Sequence, residues 1–157
     1  MPFVLRTISK AKWFPLEASP SQDQQRISES IQSDAFSDIK TEGNKLSVWH
    51  IEDNRSNLDR VLTALAANRD VLANVDYVIL SEESIKSLKI EIEESQGESP
   101  DKDVNAWHRD LNIRSGSNLF ALASAIFSMN DSRIRKPRKE VEKLLCNAVR
   151  NGLIDAT

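Results

Sequence analysis

The residue types that most often carry catalysis or bind metal ions are sparse in this chain of 157 residues. It contains two histidines, His50 and His108, and a single cysteine, Cys146. Each histidine has a carboxylate nearby in the sequence, so the weak acid–base candidates are His50 with Asp53 and His108 with Asp110. None of these residues has the close paired spacing of a metal-binding motif, and the four glycines form no phosphate-binding loop. We therefore expect no metal ion and no cofactor.

Packing is the simpler interpretation of the same three side chains. His108 lies beside Trp107 on an apolar stripe with helical spacing, where a half-buried, hydrogen-bonded imidazole is expected. Cys146 lies in an apolar stretch of a predicted helix, which favours a buried and unreactive thiol. The sequence therefore favours a protein without enzymatic activity. A hydrolase-like enzyme that uses His108 or His50 with a carboxylate is the third interpretation of its function.

Two segments of opposite charge stand out more clearly. Residues 91–103 carry six acidic side chains against one lysine, and residues 133–139 carry five basic side chains and no acidic one. A basic loop that leads into a helix offers cations and free N–H groups to a phosphate or to an acidic partner. The structural alternative is an acidic edge strand and a charged loop between helices, both solvated. The candidate partner-binding residues are Arg133, Arg135, Lys136, Arg138 and Lys139.

These charged segments carry the functional hypothesis. The first interpretation is a small interaction module of regulatory, adaptor or toxin-neutralising type, which binds a protein partner or itself as a homodimer. The second is a nucleic-acid binder that uses residues 133–139, which the net charge of −3 disfavours. The sequence has no apolar run long enough to span a membrane and no secretory signal, so we expect a cytoplasmic protein without membrane contact.

The centre of the predicted fold is the segment 46–80, which has the pattern of strand, helix and strand. Apolar residues occupy both faces of the first strand, a stripe at helical spacing follows, and a compact apolar run forms the second strand. A helix that connects two strands is typical of a right-handed crossover between parallel neighbours. Chain length favours a single domain over residues 1–157.

The flanking segments complete the predicted architecture. The sum is an α+β or α/β domain: a small mixed sheet of three to four strands with a βαβ-like centre and a helical C-terminal third. In chain order, the sequence predicts a strand over 3–8, a helix over about 21–37, a short helix after Ser81, a half-buried edge strand over 89–94, a helix from Pro100 through Leu111, a helix ending near Met129, and a last helix opened by Pro137.

Overall fold

The computed structural model describes residues 1–15 and 30–155. Their centre is one six-stranded sheet in the order β4-β5-β2-β1-β3-β6, and every neighbouring pair of strands is antiparallel. The expected mixed sheet of three to four strands is therefore wrong, although the fold combines helices and sheet as an α+β arrangement. The strands are β1 (Phe3–Thr7), β2 (Lys45–Ile51), β3 (Val75–Ser81), β4 (Glu91–Glu94), β5 (His108–Asn112) and β6 (Arg133–Lys136).

Within the described residues, the structure assigns four α-helices and four short 3-10 segments around this sheet. The part of the predicted helix over 21–29 lies outside the described residues, and its last part belongs to the 3-10 segment Ser33–Ile39. The α-helices are α1 (Leu58–Ala67), α2 (Glu82–Ser87), α3 (Gly116–Ser128) and α4 (Arg138–Arg150). The 3-10 segments are Lys10–Trp13, Ser33–Ile39, Val104–Trp107 and Asn130–Ser132.

Strand β1 lies in the middle of the sheet, because it directs apolar side chains to both faces and can be covered on each of them. Leu5 is opposite Trp49 of β2 on one side and opposite Ile79 of β3 on the other. Since β1 is antiparallel to both neighbours, β2 and β3 run parallel to each other with β1 between them. The predicted crossover through α1 thus joins parallel strands, but the expectation that these strands are adjacent is wrong.

The sheet separates two hydrophobic cores. One core contains Val4 and Val48 from the sheet together with side chains of α3 and of the first two 3-10 segments. The other contains Leu5 and Ile51 from the sheet together with side chains of α1 and α4. Successive residues of a strand point to opposite faces, which is why neighbouring residues of β1 belong to different cores. The fold therefore has three layers.

The predicted helix from Pro100 through Leu111 is wrong. A 3-10 segment, Val104–Trp107, is followed directly by β5, which pairs with β2 on one side and β4 on the other. Asp101 holds the turn, since its carboxylate accepts from the backbone N–H of Asp103 at 3.1 Å. The apolar spacing fits a helix as well as a strand, and hydrogen bonding to two neighbouring strands decides in favour of the strand.

The basic segment after α3 also differs from the predicted loop. Four of its residues form β6, which pairs with β3, and Pro137 then precedes α4. With β5 and β6 both present, the C-terminal third is not all helical. The helix predicted to end near Met129 is confirmed as α3, which begins after Ser115, whose side chain accepts from the N–H of Asn118. The last helix, α4, follows Pro137 as predicted. The edge strand near 89–94 is confirmed as β4.

Truncation of Leu5 tests the central position of β1. Leu5 has no exposed surface, so Leu5→Ala should lower the free energy of unfolding by about 2–5 kcal/mol. Val71→Ala is the matched control, because Val71 is 72% exposed and its truncation should change stability by less than about 0.5 kcal/mol. Urea denaturation measures both values. Equal stability of the two variants would contradict the placement of β1 in the core.

Candidate functional site

His50 projects from β2 between two carboxylates. Its Nδ1 lies 3.2 Å from Oε1 of Glu82, and its Nε2 lies 3.5 Å from Oε1 of Glu52. Asp53, the partner suggested by the sequence, instead forms an ion pair with the N-terminal ammonium of Met1. Sequence reasoning missed Glu82 because it follows β3, which reaches this position only through the insertion of β1 between β2 and β3.

His108 is held by a different set of groups. Its Nδ1 lies 2.7 Å from Oγ of Ser95, and its ring packs edge-to-face on Trp49 with 4.9 Å between the ring centroids. Burial lowers the pKa of His108, and the nearby charge of Asp110 opposes this shift. A lowered pKa leaves the ring neutral at pH 7. The expected half-buried, hydrogen-bonded imidazole is confirmed, although it lies on a strand and not on a helix.

The loop after Ser95 packs closely against His108 and Trp49, and Gly97 makes this close approach possible. A Cβ atom at Gly97 would lie 2.6 Å from the ring of Trp49, closer than any side chain could be accommodated without a shift. The N–H of Gly97 also donates to the carbonyl of Asn105 at 2.9 Å. His108 and Trp49 are therefore part of the packing between this loop and the sheet.

The two histidines cannot act together. His50 shares a sheet face with Val48, whereas His108 is opposite Trp49 in the ladder and lies on the other face. Within residues 1–15 and 30–155, no group of three or more histidine, cysteine or acidic side chains is placed to hold a metal ion. The predicted catalytic candidates are thus distributed over two separate environments.

Cys146 is exposed on α4, so the expected buried thiol is wrong. Helix α4 turns Val141 and Ala148 toward the sheet, and Cys146 lies on the side of the helix that faces away from them. It borders a shallow groove of about 520 Å3 between α4 and the end of α1, together with Leu145 and Arg150. The position follows from helical spacing, because one residue advances about 100° around the axis.

The first cation of the basic segment, Arg133, serves the fold. Its guanidinium is buried, and its Nη1 donates to the carbonyl oxygens of Ile126 at 3.0 Å and Phe127 at 2.8 Å. These carbonyls belong to the last turn of α3, where a cation is favoured by the helix dipole. Burial lowers the pKa of Arg133, yet an arginine of this kind remains charged.

Two further cations of this segment form ion pairs within the chain. Arg135 donates from Nε and Nη2 to the two carboxylate oxygens of Asp76, at 2.7 and 3.0 Å. These hydrogen bonds lower the pKa of Asp76. Nζ of Lys136 lies 3.3 Å from Oδ1 of Asp59 on α1. Both pairs connect β6 to neighbouring elements, so these cations combine a structural role with partial exposure.

The remaining two cations, Arg138 and Lys139, are exposed in the first turn of α4. The backbone N–H of Arg138 donates to Oδ1 of Asn74 at 2.7 Å, which fixes the start of the helix to the loop before β3. We name β6 together with Arg138 and Lys139 the basic edge of the sheet. Partner binding by these residues stays a prediction.

The acidic segment supplies the opposite end of the sheet. Strand β4, which we name the acidic edge, contains the three exposed side chains Glu91, Glu93 and Glu94. The neighbouring Asn112 amide and Lys45 ammonium lower the pKa of Glu93. Farther along residues 91–103, Asp101 is buried and accepts from Nε of Arg60 at 2.8 Å. The ion pairs of the acidic edge are Glu91 with Arg114 at 3.2 Å, Glu93 with Lys45 at 3.1 Å and Glu94 with Arg109 at 3.7 Å.

The ladder between β4 and β5 shows which backbone groups of the acidic edge point outward. The N–H of Ser95 donates to the carbonyl of His108, so Ser95 belongs to a hydrogen-bonded pair. Hydrogen-bonded and non-hydrogen-bonded pairs alternate along an antiparallel ladder. The N–H and C=O groups of Ile92 and Glu94 therefore point away from β5, toward the side of the sheet where residues 1–15 and 30–155 contribute no further strand. We call this outer side of an edge strand its open side.

The same alternation applies to the basic edge. The N–H of Ile8 donates to the carbonyl of Asp76, so the backbone of Asp76 faces β1 and that of Tyr77 faces β6. Tyr77 is opposite Ile134, whose backbone groups consequently face β3. The N–H and C=O groups of the next residue, Arg135, point to the open side. Both edges thus offer backbone groups beside like-charged side chains.

Comparison of the chain with known protein families, with curated proteins and with solved structures gives no match in any of the three. Among the described residues, none of the helices has the length and apolar character needed to cross a membrane. The geometry of the two charged edges is therefore the most specific feature from which a function can be argued.

Substitution of Arg133 distinguishes its structural role from that of the exposed cations. Arg133→Gln removes two charge-assisted hydrogen bonds to α3 and should lower the free energy of unfolding by about 2 kcal/mol. Arg138→Gln removes the same charge from the surface and should cost less than about 0.5 kcal/mol. Thermal and urea denaturation of both variants measure the difference, and equal losses would contradict the assigned role of Arg133.

Proposed function

We propose that this chain is a small protein-interaction module that binds extended protein segments along the charged edges of its sheet. The observation that carries the proposal is the placement of three exposed acids on one edge strand and of Arg135 and Lys136 on the other, where the exposed Arg138 and Lys139 follow in the chain. An open edge can accept an added strand, with backbone hydrogen bonds supplying affinity and side chains supplying selectivity. The basic edge would accept an acidic segment.

The distribution of cations favours a protein partner over a nucleic acid. Phosphate backbones are bound by several cations spread over one face. Here Arg133 is buried against α3, while Arg135 and Lys136 already form ion pairs with carboxylates. A strand-like partner needs fewer free cations, because backbone hydrogen bonds contribute part of the affinity. The net charge of −3 also repels a polyanion at distances beyond the basic edge.

The surroundings of the two histidines favour structural roles over catalysis. His50 is flanked by Glu82 and Glu52, and the ring of His108 is enclosed between Ser95 and Trp49. Because the two imidazole rings lie on opposite faces of the sheet, they cannot act as acid and base on the same substrate. Each has a packing role that explains its position.

The size of the edges sets the expected strength of binding. Each edge strand contains four residues, so a strand added there buries much less than the roughly 1,200–2,000 Å2 of a stable interface. Binding should therefore be weak and reversible, which suits a regulatory or adaptor role. Complementary charge raises the association rate and rejects partners of the same sign.

A peptide titration tests this function. The probes are two short fluorescent peptides, one alternating glutamate with isoleucine and one alternating lysine with isoleucine. Fluorescence anisotropy should show that the acidic peptide binds the wild-type chain and that Arg138→Gln with Lys139→Gln weakens this binding by about tenfold. The salt dependence of binding should also become flatter in that variant.

The matched control replaces two other cations of α4, Lys143→Gln with Arg150→Gln, which changes the net charge by the same amount. We expect this control to weaken binding of the acidic peptide by less than about twofold. Equal losses in the two variants would show a nonspecific charge effect and contradict the proposal. Binding of generic duplex DNA in preference to the acidic peptide, lost in the Arg138/Lys139 variant, would instead support a nucleic-acid binder.

A further inference from the structure

We propose that the acidic edge of one copy pairs with the basic edge of a second copy, so that the chain associates head to tail through its own sheet. This inference rests on the proposed function and names the partner. Strand β4 carries acids and β6 carries bases at opposite ends of one sheet. The complementary partner of either edge is therefore present on every other copy of the chain.

Charge decides which edges can meet. Two acidic edges would place Glu91, Glu93 and Glu94 beside the same residues of another copy, and like charges directly opposite each other destabilise a strand pair. Two basic edges would repel for the same reason. Symmetric pairing of identical edges is thus disfavoured, and only the unlike combination is attractive. Charged side chains on edge strands commonly prevent edge-to-edge association. Here they prevent pairing of two identical edges, but they do not prevent pairing of the acidic edge with the basic edge.

Strand direction permits the unlike combination without rotation. The sheet has six strands and all neighbouring pairs are antiparallel, so β4 and β6 run in opposite directions. When a second copy is added in the same orientation, its β4 lies antiparallel to β6 of the first copy. The face covered by α3 in one copy then continues as the face covered by α3 in the next. An odd number of strands would not allow this.

The outward backbone groups fix a register for this pairing. Arg135 of one copy and Glu94 of the other both direct N–H and C=O groups to the open side, so they can form a hydrogen-bonded pair. Arg135 binds Asp76, and Glu94 is two residues from Ile92, so both lie on the face of the sheet that α3 covers. Moving one residue along each strand then places Lys136 opposite Glu93. Two ion pairs are formed, one on each face.

The contact is heterologous, because different surfaces of the two copies meet. A heterologous contact leaves one free edge at each end, so assembly continues beyond a dimer unless it closes into a ring. The short strands make each contact weak. We therefore expect association that grows with concentration and falls with salt, without a plateau at a closed dimer.

Disulfide trapping between two single-cysteine proteins tests the pairing and its register. Cys146→Ser removes the native thiol from both proteins, and one then carries Glu94→Cys while the other carries Arg135→Cys. Residues directly opposite in a ladder have Cα atoms about 4.5–5.5 Å apart, within the range of a disulfide bond. Mild oxidation of the mixture should produce the mixed dimer, several-fold faster than the control mixture in which Glu142→Cys replaces Glu94→Cys.

The two proteins oxidised separately provide the orientation control. Head-to-tail pairing predicts little homodimer from either protein alone, since identical edges repel. Homodimers forming as fast as the mixed dimer would contradict the proposal, as would a mixed dimer no faster than the control. Because Arg135→Cys removes an exposed ion pair, a second mixture uses Glu91→Cys with Arg138→Cys, which the same register brings near each other. Failure of both mixtures to cross-link would overturn the proposal.

The peptide titration separates this proposal from the function on which it rests. If the acidic peptide binds the basic edge while both cysteine mixtures fail to cross-link above the control rate, the chain is an interaction module whose partner is another protein. If neither the peptide binds nor the mixtures cross-link, both proposals are wrong. Mixed dimers together with peptide binding at the basic edge would support both.

Discussion

Strand β1 is bonded to a strand on each side, and the arrangement of the other elements follows from its position. Strands β2 and β3 run parallel because both are antiparallel to β1, and helix α1 must cross over β1 to connect them. Val4 and Leu5 point in opposite directions and are buried in the two different cores, so β1 contributes to packing on both faces. The same insertion brings Glu82 to His50, since β3 reaches β2 only through β1.

The direction of each edge strand also depends on this centre. Antiparallel pairs continue outward from β1 through two strands to β6 and through three strands to β4, which leaves the two edges pointing in opposite directions. The acidic and basic side chains are partly compensated inside the chain by Arg109, Arg114, Asp76 and Asp59. Each of these pairs has at least one exposed side chain, and ion pairs at the surface contribute little to stability. The charged side chains can therefore repel an identical edge and still attract an edge of opposite charge.

The sequence predicts the elements whose apolar spacing has a single interpretation. The strands around Leu5, Val48 and Ile79 and the helices α1 and α3 follow from periodicity, and Pro137 marks the start of α4. The strand β5 could not be predicted, because its spacing also fits a helix and only the contacts with β2 and β4 decide between them.

The basic edge and the surroundings of the histidines show a second limit to prediction from the sequence. Residues 133–136 alternate only weakly in the manner of a strand, since Ile134 is the single apolar side chain among three bases. The high charge and the following proline favour a loop instead. The burial of Arg133 depends on where α3 ends, which is a tertiary contact that no spacing within residues 133–139 indicates. Partners such as Glu82 for His50 and Ser95 for His108 are likewise set by the order of strands across the sheet.

Residue-resolved amide exchange at low and high protein concentration measures edge pairing directly. Head-to-tail association predicts that the N–H groups of Glu94 and Arg135 exchange several-fold more slowly when the concentration is raised about 100-fold. The N–H of Val71, an exposed residue that belongs to neither edge strand, should exchange at an unchanged rate. Exchange at Glu94 and Arg135 that does not depend on concentration would contradict pairing of the two charged edges.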